Sequence, residues 1–304
     1  ILLIISTPED SEPAALPDHK SYTLLAGLLG IGLAITALTS AWWAIARGPD
    51  LLNRTDNARR AISDRYVPRG EIVDRNNQPI NITEGTSGSY TRVYLYPDLA
   101  PITGYTHPVF GQAGLEASVD DYLRGLKGNP SSLLWWEHLL YGTPPPGLDV
   151  RISIDLALQA KADQLLGGHP GAILLMNAET GEILVMASHP TYDPNKLDEE
   201  GESLAQNLTA PLVNRATQGL YPAGTTLLPW VQARYGNTQP SDDALRKYFK
   251  TLGFYQTPAI NLPSAFHHSG NAIKDLRVSP LQMALAASAL INHGTMPVTH
   301  PSMA

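Results

Sequence analysis

Cysteine is absent from this 304-residue chain, which excludes disulfides, thiol nucleophiles and thiolate metal sites. That absence does not by itself separate an oxidising compartment from a reducing one. Charge is sparse as well: charged residues make up 16%, hydrophobic residues 43%, and the formal net charge is -7. The chain therefore lacks the basic excess of a nucleic-acid binder and the polarity of a disordered polyelectrolyte. Metal-ligand spacing is also missing. His267, His268, His293 and His300 stand without an H-E-x-x-H or comparable pattern, so they read as surface histidines, and no metal or other cofactor is expected. Gly27, Gly30 and Gly32 have no strand before them and form no nucleotide loop.

From Tyr22 to Ala46 there is no charged residue at all. At about 1.5 Å per residue a helix of that length exceeds the roughly 30 Å hydrocarbon layer. Trp42 and Trp43 suit the headgroup belt, and Lys20 and Arg47 bracket the segment. A cleaved signal peptide is the competing reading, but its apolar core is shorter and it ends in small residues. Glu9, Asp10, Glu12 and Asp18 precede the segment while Arg47 and Arg54 lie after it, a basic bias that points weakly against export of the C-terminal region. Ala26, Gly30 and Ala34 form a small-residue stripe: either a packing face for another membrane helix or the ordinary richness of such helices in Gly and Ala. The chain opens on Ile1, consistent with a processed, fused or partial polypeptide. Residues 1–5 are either the tail of an earlier membrane segment or an ordinary apolar stretch.

The pattern predicts an α+β protein in four parts: a tail over 1–21, a membrane helix over 22–46, a mixed pedestal over 47–147 and a larger domain over 148–304. Leu51 to Arg65 reads as a helical extension. Pro68, Gly70 and Asn76-Asn77-Gln78-Pro79 mark short strands and turns, and Thr143-Pro144-Pro145-Pro146 an extended spacer. Val150, Ile152 and Ile154 alternate as in a half-buried strand, and Leu156 to Leu166 has helical spacing closed by Gly167-Gly168. The apolar runs 172–176 and 182–186 flank a Gly-bearing connection and predict a hairpin. Pro280 to Asn292 is apolar around most of its circumference, as in a helix buried within a layer. Trp135-Trp136 with Leu133-Leu134 reads as a docking patch or as subdomain core.

Several phrases, in order along the chain, resemble the class B penicillin-binding proteins of bacteria. Arg69-Gly70-Glu71-Ile72-Val73-Asp74-Arg75-Asn76 is similar to the opening pedestal signature, and Gly114-Leu115-Glu116 with Tyr122-Leu123-Arg124-Gly125 to a second pedestal element. The run from Gly171 through Asn195 resembles the first two transpeptidase strands. Asn214-Arg215-Ala216 and Tyr221-Pro222-Ala223-Gly224 resemble the approach to the nucleophile, and Ser279-Pro280-Leu281-Gln282-Met283-Ala284 a late core helix. The resemblance implies a single-pass anchor in the bacterial cytoplasmic membrane with the C-terminal region outside. Arg69, Asp74 and Arg75 read as ion-pairing and turn-forming residues rather than catalysts.

The same resemblance implies a serine and a lysine in the order S-x-x-K, the lysine deprotonating the serine hydroxyl. At the matching positions stand Thr225-Thr226-Leu227-Leu228. The methyl of Thr225 restricts its side chain, and Leu228 can neither accept a proton nor carry charge. The family's S-x-N motif is matched only by Ser241-Asp242-Asp243, without its asparagine, so Ser241 and Asp243 are degenerate positions. Ser269-Gly270-Asn271 spells S-x-N in the wrong context, and no K-T-G strand occurs before Ala304. Three readings are open. The first is a non-catalytic homologue, a pseudoenzyme that binds another integral membrane protein, with a SEDS-type glycosyltransferase of peptidoglycan synthesis implied by the resemblance. The second is an accessory or stabilising subunit of an unrelated membrane complex, and the third a residual D,D-transpeptidase using Thr225.

Overall fold

Glycine and proline punctuate residues 65–130 so densely that only short elements form there. The computed structural model describes residues 19–43, 65–130, 146–267 and 273–297. By contact the chain divides into two units, residues 1–57 and 58–304.

The first unit contributes helix α1, His19–Trp42, whose segment Tyr22–Trp42 is long and apolar enough to cross a membrane. Its side chains are exposed, Leu33 at 71% and Leu38 at 70%. Soluble packing offers such a surface nothing, whereas lipid does. Thr36 and Thr39 donate their hydroxyls to carbonyls one turn back, which satisfies those two polar groups within the helix. The predicted segment extended to Ala46, and its last three residues lie outside the described residues, as do most of the 51–65 extension, the proline spacer and Trp135-Trp136.

In the second unit, β1 (Ile72–Val73), β2 (Pro79–Glu84) and β3 (Thr91–Tyr94) form an antiparallel set. Next come α2 (Ala100–Thr103), the hairpin β4 (Thr106–His107) and β5 (Gly111–Gln112), α3 (Gly114–Ser118) and α4 (Asp120–Leu123). Strand β6 is only Val150–Arg151 and pairs parallel with β1, giving the sheet order β3-β2-β1-β6. The alternation over 150–154 thus yields two strand residues. Ile154 is instead buried through its side chain while its carbonyl accepts from Arg75 N at 3.0 Å.

Helix α5 (Leu156–Leu166) starts where Asp155 accepts from the amides of Ala157 and Leu158 and stops at Gly167. The hairpin β7 (Gly171–Met176) and β8 (Ile183–His189) pairs Gly171 with His189 through to Met176 with Ile183. Beyond it lie α6 (Leu197–Gln206), β9 (Tyr221–Pro222), α7 (Leu228–Tyr235), α8 (Asp242–Thr251), β10 (Arg277–Val278) and α9 (Pro280–Ile291). Ser279 and Gln282 form a reciprocal capping box at the head of α9. Helix α9 is not buried all round as its composition suggested: Leu281 and Ala286 are fully buried, but Leu290 is 44% and Ile291 73% exposed.

One core joins the pedestal strands to the region beyond residue 147: Ile72, Ile80, Leu99 and Leu123 pack with Val150, Ile183, Met186 and Leu281. A second gathers Trp230, Phe249, Phe254 and Leu276. The first is continuous across 147 and 148 because β6 belongs to the pedestal sheet.

Candidate functional site

Two places gather the residues that the sequence singled out, and they differ in polarity. In the pedestal, Glu116 is fully buried on α3 and is met by three donors. Arg69 Nη2 reaches its Oε2 at 3.0 Å, while Arg92 Nε and Asn81 Nδ2 reach its Oε1 at 2.7 and 2.9 Å. Arg69 also donates to Asp120 at 2.7 Å, and Arg92 donates to the carbonyl of Gly70 at 2.8 Å. A buried carboxylate is tolerable only with such company, because desolvation removes several kcal/mol of hydration. The Tyr94 hydroxyl nearby is pushed well above its usual range, first by burial and then by the negative charge of Glu116.

The glycines of both signatures are explained by backbone proximity. A Cβ on Gly70 would lie 2.0 Å from the carbonyl oxygen of Leu148, and one on Gly114, where φ is +60°, would lie 2.6 Å from that of Ile102. Gly70→Ala is expected to cost about 1–3 kcal/mol by forcing residues 69–70 away from 148–149. Unchanged urea unfolding would contradict that. Leu115 is buried beside Glu116. Asp74 turns the chain, its Oδ1 accepting from the amides of Asn76 and Gln78 at 2.7 Å each. Arg75 sits in this turn, as a turn-forming residue, and its side chain makes no ion pair among the described residues. It contributes its amide instead.

The resembling segment 190–195 joins the sheet to the hairpin. Asn195 brackets Tyr94, accepting from its amide and donating to its carbonyl at 3.0 Å each, and Tyr192 donates to the carbonyl of Ala100 at 3.2 Å. Beside this seam lies a buried polar cluster that sequence reading missed. Asp163 accepts from Tyr96 at 3.1 Å and from Gln159 at 3.3 Å, and its Oδ1 lies 3.1 Å from His189 Nε2, while His189 Nδ1 donates to the carbonyl of Gly167 at 3.0 Å. Asp163 is buried on α5 with Gln159 and Ala162, and its partners Tyr96 and His189 lie far along the chain.

Burial raises the Asp163 carboxyl above its ordinary value of 3.8, and the bonds from His189, Tyr96 and Gln159 offset part of the rise. Between 3.8 and that raised value the unfolded chain has released the proton and the folded chain has kept it. The group's contribution is therefore full below 3.8 and declines as pH rises through the window. The stability of the wild type minus that of Asp163→Asn, from urea unfolding across pH, should fall over this interval. A difference that rises there would contradict the assignment.

At the nucleophile position, strand β9 pairs with β10 and feeds a 3-10 turn, Gly224–Leu227, that opens α7. Gly224 has a φ of +52°, which suits the sharp entry. Leu227 and Trp230 point into the second core, leaving Thr225 exposed and Leu228 51% exposed on the outer side. Thr226 donates its hydroxyl to the carbonyl of Ala223. The Thr225 carbonyl accepts from the Leu228 amide, its hydroxyl makes no hydrogen bond among the described residues, and the Leu228 side chain supplies no proton acceptor one turn along. Ser241 is the N-cap of α8, accepting from Ala244 N at 3.3 Å, with Asp242 and Asp243 in the first turn where the helix dipole favours them. Among the described residues no side-chain hydrogen bond or ion pair joins Thr225, Leu228, Ser241 and Asp243, so the side chains at these helix-start positions do not converge through polar contacts.

His267 is not a surface residue. It is 8% exposed, stacks obliquely on Tyr255 at 6.5 Å, and its Nε2 has no hydrogen-bond partner. Its buried setting comes from packing of the 255–267 loop, which no local pattern announces. His268, His300 and Ser269-Gly270-Asn271 lie outside the described residues. Among the described residues no group of three His, Asp or Glu side chains is placed to hold a metal ion.

This arrangement of sheet, hairpin and nucleophile-position helix is that of penicillin-binding proteins. Penicillin-binding protein A of M. tuberculosis, solved as its penicillin G acyl-enzyme complex, superposes with a TM-score of 0.66 at 22% identity, over 76% of this chain and 72% of that one. Residues 69–150 match the model of the penicillin binding protein A dimerisation domain, and residues 171–229 that of the penicillin binding protein transpeptidase domain. The chain is 38% identical over 133 residues to the peptidoglycan D,D-transpeptidase MrdA of Acinetobacter baumannii, covering 40% of this chain and 20% of that protein. It is 27% identical over 213 residues to the peptidoglycan D,D-transpeptidase PbpA of Mycolicibacterium smegmatis, covering 64% and 43%. The chain is thus homologous to the class B penicillin-binding proteins. It spans 20% of the length of the MrdA relative and 43% of the PbpA relative.

Proposed function

We propose that this chain is a catalytically silent member of that lineage, a membrane-anchored binding or scaffold subunit in peptidoglycan synthesis whose partner is a SEDS-type glycosyltransferase. The observation that carries it is the half-exposed Leu228 one turn from a Thr225 whose hydroxyl has no hydrogen-bond partner among the described residues. General-base assistance is worth about 10²–10⁴-fold, and an aliphatic side chain contributes none of it. The pedestal core supports the binding side of this reading, since its buried ion cluster and close backbone contacts are fully formed around residues with no nucleophile among them.

In α1, Ala26, Gly30 and Ala34 fall on one helical face, and among the described residues nothing beyond the helix's own neighbouring backbone lies within 4 Å of where a Cβ on Gly30 would be. A neighbouring membrane helix would approach closely there. The detergent-solubilised chain is expected to co-purify with a SEDS-type protein, and Ala26→Leu with Gly30→Leu to reduce that recovery severalfold. Unchanged recovery would remove the helix-packing element. Recovery of an unrelated membrane assembly in its place would favour the accessory-subunit reading.

A further inference from the structure

Helices α7 and α8 and the end of α9 enclose a groove of about 800 Å³ at the opposite end of α7 from Thr225. Its base includes the buried Trp230 and Leu252 and the part-exposed Leu290, all apolar surface. The polar capacity of that base is already used: Trp230 Nε1 donates to the carbonyl of Ala286 at 2.8 Å, and Tyr248 donates to that of Trp230 at 3.2 Å. The charge at the mouth is of one sign. Arg234 on α7 and Lys247 on α8 line the groove with His293, and no Asp or Glu among the described residues lines it, in a chain of net charge -7. Arg234 and Lys247 are exposed, and their side chains make no ion pair or hydrogen bond among the described residues.

We propose that this groove docks an acidic amphipathic segment of a partner protein, placing an apolar side chain over Trp230 and carboxylates against Arg234 and Lys247. Charge complementarity selects the sign of the occupant, because two unpaired cations on separate helices would flank one peptide backbone and a basic or neutral segment would leave them unmatched. Concavity selects its form. A flat anionic bilayer surface would meet the two cations but could not fill the space between the helices, whereas a protruding side chain would. The inference is independent of the lost acyl-transfer chemistry, since none of the groove residues named belongs to the nucleophile position.

The test uses the full chain in neutral-detergent micelles and a fluorescein-labelled peptide of repeating Glu and Leu with amphipathic helical spacing, with binding read by anisotropy. Arg234→Glu with Lys247→Glu should weaken binding about tenfold or more. Lys161→Glu with Lys196→Glu, the same charge change on exposed residues elsewhere, should alter it less than about twofold. A photo-crosslinking side chain introduced at the groove residue Ala233 should capture the peptide. Equal weakening by both double reversals, equal binding of the peptide with Lys in place of Glu, or no capture from Ala233 would each overturn the proposal. Vesicles of phosphatidylglycerol that bind the chain with the same dependence on Arg234 and Lys247, while the peptide does not, would assign the groove to lipid and overturn it too.

Discussion

Glu116→Ala is expected to lower the stability of the 58–304 unit by about 3–5 kcal/mol. The side chain is fully buried and accepts from Arg69, Arg92 and Asn81. Its removal leaves Arg69 with Asp120 but takes from Arg92 its only carboxylate among the described residues, stranding a guanidinium that is 4% exposed. The loss is therefore dominated by the uncompensated charge and not by the pair's own net strength, which desolvation nearly cancels. For a domain of this size about 2–4 °C of melting temperature accompanies each kcal/mol, so thermal unfolding should begin well below that of the wild type. Arg92→Met combined with Glu116→Ala should recover part of the loss, because the stranded charge is removed as well. If the single variant melts within about a degree of the wild type, the cluster is not what holds the pedestal sheet against α3.

Acylation by a penicillin is expected to be about 10²–10⁴-fold slower for this chain than for a homologue carrying the lysine, from the missing base alone. Thr225 adds a methyl group beside the attacking oxygen, which narrows its rotamers. Leu228→Lys by itself should not restore the reaction. Position 228 is 51% exposed, so a lysine there would remain a hydrated ammonium at neutral pH and would have no free pair to take the hydroxyl proton. Labelling by a fluorescent penicillin that rises a hundredfold in Leu228→Lys would show that the surrounding site is still arranged for acyl transfer.

How much of this was legible beforehand depended on the range of the interaction. Helix α5 was readable to its ends because Asp155 and Gly167 cap it locally, and the 171–189 hairpin because two apolar runs flank a glycine connection. The signature glycines marked backbone contacts, though nothing in the sequence said that Gly70 meets Leu148. Residues whose role is set by distant partners were not readable. Arg92 and Asn81 carry no motif yet complete the Glu116 cluster, and Asp163 and His189 are 26 residues apart. His267 is buried by tertiary packing alone, and α9 keeps Leu290 and Ile291 exposed because the core contacts it from one side. At the nucleophile position the lack of a proton acceptor on Leu228 is a property of the residue itself and is legible in any fold.

The most direct measurement is intact-mass spectrometry of the purified full chain after prolonged incubation with penicillin G. The account predicts an unmodified mass, identical to that of Thr225→Ala treated in the same way apart from the substitution itself. A covalent adduct on the wild type that is lost in Thr225→Ala would contradict it.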